Sequence, residues 1–260
     1  VPIIQANAVA KQFLLRHNAS VELKVRLLSL LHPKHRQSIE RFWALKGVSF
    51  RVEPGEAIGL VGRNGSGKST LLKLISGTHR PTTGQLLVAR NARISSMIEL
   101  GVGFHPELTG RENIFLSASI HGLSRRDIER VYDAIVDYSG LEHFIDVPLK
   151  NYSSGMHIRL GFAIAANLDP DILLLDEIFA VGDADFQRRC TATIEAFIEQ
   201  GKTIMFVSHA PSAIRAICGR VCVLEQGELV FDGSVDAGLD FYTDLLARGS
   251  ATAMLPPVAG

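Results

Sequence analysis

The chain has 260 residues, 47% of them hydrophobic, and its 27 Lys+Arg balance 27 Asp+Glu to a formal net charge of zero. That is enough for one domain with a substantial core, or one domain carrying a subdomain, and the balanced charge argues against a nucleic-acid binder, which shows a basic excess or stripe. Cys190, Cys218 and Cys222 form no CxxC pair and read as buried thiols of a reducing compartment; no run approaches the roughly 18 apolar residues of a membrane span, and no basic-then-apolar signal opens the chain, so a soluble, cytoplasmic protein is expected, held at a membrane only through a partner.

In chain order, Ile3–Val9 reads as a strand, and Ser20–Leu31 spaces its leucines and valines as an amphipathic helix before the basic stretch HPKHRQSIER. Lys46–Val52 alternates as a strand and leads through the turn Glu53-Pro-Gly-Glu56 to a short apolar strand, Ala57–Val61. A helix is predicted over Lys68–Ser76 and two strands around Gln85–Val88 and Ala92–Met97. The pattern then turns helical over Gly110–His121, Arg125–Ser139 and Ser154–Asn167. Strands return at Ile172–Leu175, Thr203–Val207, Arg220–Glu225 and Glu228–Phe231, with helices between the first three. A last helix near Val235–Ala247 leads into a Pro/Ala tail, 249–260, expected to be flexible. Strands alternating with helices imply a mainly parallel α/β sheet, with the all-helical block inserted into it as a subdomain.

The stretch Gly62–Thr70, GRNGSGKST, fits G-x-x-x-x-G-K-[ST] between a strand and a helix. The glycines Gly62, Gly65 and Gly67 let the backbone of Arg63, Asn64 and Ser66 wrap phosphates, so amides and a helix N-terminus converge on negative charge. Lys68 would neutralise the β- and γ-phosphates and Ser69 would ligate Mg²⁺, with Thr70 directly after the motif as a further nucleotide-binding candidate. DILLLDE, Asp171–Glu177, is a buried strand ending in two carboxylates: Asp176 for the Mg²⁺ shell and Glu177 to polarise attacking water. Strand Thr203–Val207 ends in Ser208-His209, and a histidine emerging beside the phosphate strand is placed to hydrogen-bond a γ-phosphate. Each feature alone has a plain structural reading as a glycine turn, a solvated carboxylate pair or a surface histidine. Together they point to a nucleotide hydrolase.

These parts, with a helical insertion between them, resemble the nucleotide-binding domain of ATP-binding cassette (ABC) proteins over roughly residues 3–235. The resemblance implies a P-loop NTPase fold, an ABC-type ATPase domain over 1–248 with an antiparallel β subdomain and a helical subdomain at about 100–167. The family's signature LSGGQ opens a helix before the DE strand; here the place holds Tyr152-Ser153-Ser154-Gly155-Met156. It also implies a head-to-tail homodimer in which Ser153, Ser154, Gly155 and Met156 face the ATP on the other subunit's phosphate loop, with Asp183 crossing the dimer. Where most cassettes place a metal-touching Gln, this chain has Glu99. Trp43 or Phe42 is the aromatic expected to stack on adenine, with Trp43 preferred.

YSSGM, DEIFAVGDADFQRR and IELGVGFHPELTGRENI are similar to the ATPases of bacterial polysaccharide exporters of the O-antigen, capsule and teichoic-acid class. That similarity implies a peripheral subunit on the cytoplasmic face of the bacterial inner membrane, serving a separate permease dimer that exports a lipid-linked polysaccharide. The permease is expected to dock near Glu99–His105, and Ser20–Leu31 either adds contact with permease or membrane or packs on its own domain. Some members carry a C-terminal carbohydrate-binding domain; a chain ending near residue 260 is expected to lack one. The alternatives are a drug or lipid exporter, or a cassette ATPase acting on DNA or ribosomes, which usually has long coiled coils or two cassettes per chain.

Overall fold

Apolar runs without polar alternation need cover on both faces, which only a sheet inside the molecule provides. A computed structural model, describing residues 1–17, 38–97, 103–176 and 184–253, places four such runs at the centre of one sheet. The strands are β1 (Ile4–His17), β2 (Ser38–Val52), β3 (Ala57–Gly62), β4 (Thr83–Val88), β5 (Ile94–Ser96), β6 (Ile172–Leu175), β7 (Thr203–Val207), β8 (Arg220–Glu225) and β9 (Glu228–Ser234). The helices are α1 (Lys68–Ile75), α2 (Gly110–Ile120), α3 (Arg125–Ser139), α4 (Ser154–Asn167), α5 (Ala184–Glu199), α6 (Pro211–Ile217) and α7 (Val235–Ala253). The main sheet runs β5-β6-β7-β3-β8-β9, parallel throughout except for the β8–β9 hairpin, and a second, antiparallel sheet runs β2-β1-β4.

Side-chain alternation along the central strands sends successive residues to two different cores. Ile172 and Leu174 of β6, with Ile58 and Leu60 of β3, pack on Leu71, Leu72 and Ile75 of α1 and on Ile4, Leu45 and Val52 of the antiparallel sheet. Leu173 and Leu175, with Ile204, Phe206 and Val223, pack on Phe186, Cys190 and Phe197 of α5, Ile214 of α6 and Leu239 of α7. The inserted helices build a third core from Ile114 and Ala118 (α2), Ile128 and Ile135 (α3) and Leu160, Ala163 and Ile164 (α4). Side-chain caps start each of these helices: Thr109 with Glu112 in a capping box, Ser124 with the Asp127 amide, and Ser153 with the Met156 amide.

Several boundaries differ from the sequence expectation. β1 continues past Val9 to His17 and β2 begins at Ser38 rather than Lys46, with His17 paired opposite Ser38. Beyond Ala10 the described part of β1 pairs with β2 and no longer with β4. A two-stranded arm has no core to face, so its sequence shows little apolar alternation. β4 and β5, adjacent in sequence, belong to different sheets. Helix α7 runs through Ala253, past the predicted end at Ala247. The predicted helix Ser20–Leu31 lies outside the described residues. The three cysteines are buried and unpaired, and burial pushes the thiols of Cys190 and Cys218 up to about 12. Among the described residues no helix is long and apolar enough to cross a membrane.

Leu174 is fully buried at the centre of the sheet, so Leu174→Ala should lower the unfolding free energy by about 2–5 kcal/mol, measured by denaturant titration.

Candidate functional site

The parallel strands end along one edge of the main sheet, where β3 passes through residues 63–67 into α1. A Cβ on Gly62 (φ 156°) would lie 2.2 Å from the Leu224 carbonyl oxygen, and one on Gly67 (φ 109°) 2.6 Å from the Ala44 carbonyl oxygen. Neither position accepts a side chain, so the loop backbone runs directly against β8 and β2. The β8–β9 turn then holds it in place: the Gly227 amide donates to the Ser66 carbonyl (2.9 Å), and the Gly227 carbonyl accepts from the Lys46 amide (2.8 Å).

Gly67 is the N-cap of α1 and brings no capping side chain. The first-turn amides of Lys68, Ser69 and Thr70 therefore lack an intrahelical acceptor. Lys68 is buried, and its ammonium donates to the carbonyls of Gly62 (2.7 Å) and Arg63 (3.0 Å). A buried cation beside open amides at a helix N-terminus is chemistry for an anion.

A cavity of about 370 Å³ lies over this loop. Asn64, Gly65, Gly67, Lys68, Ser69 and Thr70 form its floor, and Asp176, Val207 and His209 reach it from the ends of β6 and β7. Ser208 is buried and its hydroxyl accepts from the Ala210 amide (3.0 Å), a turn that presents the exposed His209 to the cavity. Arg63 and Ser66 line a smaller cavity of about 220 Å³ with Asn64, Gly65, Glu225 and Gln226, and here Ser66 Oγ and Glu225 Oε2 are buried without a hydrogen-bond partner. Glu177, Asp183 and Glu99 lie outside the described residues; Asp176 is the last one described before that gap.

The aromatic assignment changes. Phe42 and Ala44 both line the large cavity, while Trp43 between them does not, because successive side chains of a strand point to opposite faces. Ala44 is also a bulge: Lys11 pairs with Leu45 and Gln12 with Trp43, which leaves Ala44 unpaired. Its carbonyl is the one that meets Gly67. Sequence reasoning missed the parts played by Ala44, Gly227 and Ser208. The Gln-Gly turn between two strand patterns was the available signal for Gly227.

The signature residues sit at the start of α4, away from this cavity. Ser153 is the N-cap and accepts from the Met156 amide (3.2 Å), while its carbonyl accepts from the His157 amide (3.1 Å) and the His157 ring Nδ1 (2.9 Å). Ser153 and Ser154 are exposed, and the first turn carries no acidic residue. A Cβ on Gly155 would meet nothing nearer than Ser153 Oγ at 3.9 Å. The subunit's own packing therefore gives no reason for a glycine there. Tyr152 is buried with its hydroxyl donating to the Phe144 carbonyl (2.7 Å), and burial pushes its phenol up to about 12.

A glycine-built loop between strand and helix, a buried lysine within it, and a neighbouring strand-end carboxylate define a P-loop nucleotide site. The model of the ABC transporter family matches residues 45–180. The O-antigen export system ATP-binding protein RfbB of Klebsiella pneumoniae is 42% identical over 249 residues, 95% of this chain and 99% of that protein. The teichoic acids export ATP-binding protein TagH of Lactiplantibacillus plantarum is 46% identical over 78% of this chain and 55% of its own length. A dimeric ATP-binding cassette bound to ADP and Pi aligns with a TM-score of 0.68 at 21% identity, over 89% of this chain and 98% of the other. An ATP-binding subunit of an ABC transporter aligns at 0.72 and 21%, over 94% and 99%; at that identity these two show the fold alone. The chain belongs to the ABC transporter family, as its ATP-hydrolysing cassette.

Stacking of a base on an aromatic ring contributes about 1–3 kcal/mol. Phe42→Ala should therefore weaken ATP binding roughly fivefold or more, and Trp43→Ala should change it less than about twofold, read by titration with a fluorescent nucleotide.

Proposed function

We propose that this chain is the ATP-hydrolysing subunit of a bacterial exporter that moves a lipid-linked polysaccharide across the cytoplasmic membrane through a separate permease. The observation that carries this reading is the near end-to-end similarity to an O-antigen export ATP-binding protein. The similarity to a teichoic-acid export protein supports the same class of cargo. On this reading the chain is peripheral on the cytoplasmic face, and the permease docks near Glu99–His105, of which the described part is 103–105.

At the phosphate loop, the open amides of α1 and the Lys68 ammonium hold the phosphates, and Phe42 takes the adenine. Ser69 and Asp176 line the same cavity, a hydroxyl and a carboxylate oxygen that suit a hard cation completing its shell with water and phosphate oxygens. Mg²⁺ held there, with Glu99 as a further ligand, would neutralise charge on the phosphates. Glu177, directly after Asp176, takes the proton of the attacking water. His209 hydrogen-bonds the γ-phosphate from the end of β7.

The site is completed by a second copy of the chain. Ser153 and Ser154 offer hydroxyls, and the start of α4 offers amides, to the nucleotide on the partner's phosphate loop. Gly155 supports this reading because nothing within the subunit needs its missing side chain, whereas a phosphate from another subunit does. Met156 stands where the signature has Gln, and Asp183 lies in the crossing segment. Closure then depends on the γ-phosphate, and hydrolysis loosens it.

Glu177→Gln should abolish turnover and trap an ATP-bound dimer, seen by size-exclusion chromatography; undiminished hydrolysis would reject Glu177 as the base. In that background Gly155→Ala should leave folding intact, since Ala is a better helix residue by about 1 kcal/mol, yet raise the ATP needed for dimerisation at least about tenfold. For the cargo, affinity purification from membranes should recover a polytopic protein, and deletion should remove surface polysaccharide. Recovery with ribosomes instead would overturn the export reading.

A further inference from the structure

The family signature opens with leucine, and this chain puts tyrosine there. The structure gives the extra hydroxyl a prepared place. Tyr152 is buried in the core of the helical subdomain and donates to the Phe144 carbonyl at 2.7 Å. A Cβ on Gly110, the first residue of α2, would lie 2.3 Å from that same hydroxyl. Gly110 has no positive φ requiring glycine; the space it leaves is taken first by the Tyr152 hydroxyl and then by Ile145, whose carbonyl oxygen would lie 3.0 Å from that Cβ.

The carbonyls around this point are shared between α2 and the approach to the signature. The Gly110 amide donates to Val147 (3.2 Å) and the Arg111 amide to Ile145 (2.8 Å). The Leu149 and Lys150 amides donate to Leu108 and Pro106, both at 2.9 Å. Asn113, fully buried, gives its amide group to the carbonyls of His105, Leu108 and Thr109 and accepts from the His105 amide. Loop 105–109 and the turn 144–152 are thus one hydrogen-bonded body, and Tyr152 is its last pin before the Ser153 cap.

We infer that Tyr152, seated in the hole left by Gly110, is a positioning residue: it sets the placement of Ser153 and the α4 N-terminus and so governs how strongly the signature engages the partner subunit's ATP. This rests on the cross-subunit role proposed above for Ser153. The Leu149 and Lys150 amides, bonded to Leu108 and Pro106, also tie that engagement to loop 105–109. A load applied to the loop reaches the signature through backbone bonds rather than through a soft side-chain contact.

The test uses the full chain in the Glu177→Gln background, with ATP-driven dimerisation followed by light scattering and ATP binding to the single subunit followed separately. Tyr152→Phe removes only the hydroxyl, and each dimer contains the change twice. The ATP concentration for half-maximal dimerisation should rise about threefold or more, given the worth of one buried hydrogen bond, while the single subunit's ATP affinity stays constant. Gly110→Ala should impair dimerisation more, because its methyl meets the hydroxyl, and adding Tyr152→Phe should recover part of that loss. A purely structural role would lower the thermal midpoint in each single variant and restore part of it in the double variant, while leaving the ATP dependence of dimerisation of the folded protein unchanged. If Tyr152→Phe dimerises like its parent while Ser153→Ala does not, or if the double variant is no better than Gly110→Ala, the positioning role is wrong. If Ser153→Ala itself dimerises normally, the cross-subunit reading beneath it falls instead.

Discussion

Everything in this molecule is arranged around a backbone that must pass where no side chain fits. Between β3 and α1 the chain runs against the carbonyls of Leu224 and Ala44, and the β8–β9 turn fastens it through Ser66 and Lys46. That contact places an uncapped helix start and a buried ammonium at the edge where parallel strands end. It also brings together the two sheets, since Ala44 belongs to one and Leu224 to the other. A methyl group at Gly62 or Gly67 would push apart the parts that hold a nucleotide.

The phosphate loop and the start of α4 are carried by bodies with separate cores. The phosphate loop belongs to the body formed by the two sheets and their helices. The signature belongs to the helical insertion, which has an apolar core of its own and holds its entry turn by backbone bonds and the Tyr152 hydroxyl. On a single subunit, residues 152–156 do not reach the phosphate-loop cavity, which is why the proposed site needs a second copy.

Much of this was legible in the residues. The phosphate loop, the DE-ended strand and the strand-end histidine are local patterns whose chemistry needs those residue types in that order. The central strands are apolar throughout, and the capped helices carry Thr109, Ser124 and Ser153 at their starts. Less legible were features set by pairing. Lys11, Gln12 and Arg16 hid the length of β1 because a two-stranded arm imposes no alternation. The strands expected around Gln85–Val88 and Ala92–Met97 are local patterns that do not say which sheet each joins, and they belong to different sheets. Trp43 and Phe42 are both candidate aromatics, and the register of β2 puts Phe42 on the cavity.

The sequence by itself determined the class of fold, the phosphate chemistry and the family, because glycine spacing, charge type and apolar runs act over a few residues and survive without a structure. Only the tertiary structure decided which aromatic lines the phosphate-loop cavity, what holds the phosphate loop, and why Gly110 and Tyr152 belong together. Those are matters of register and of close approach between segments distant in sequence. A single-residue slip along a strand reverses a side chain, and a contact closer than van der Waals distance exists only once both backbones are in place.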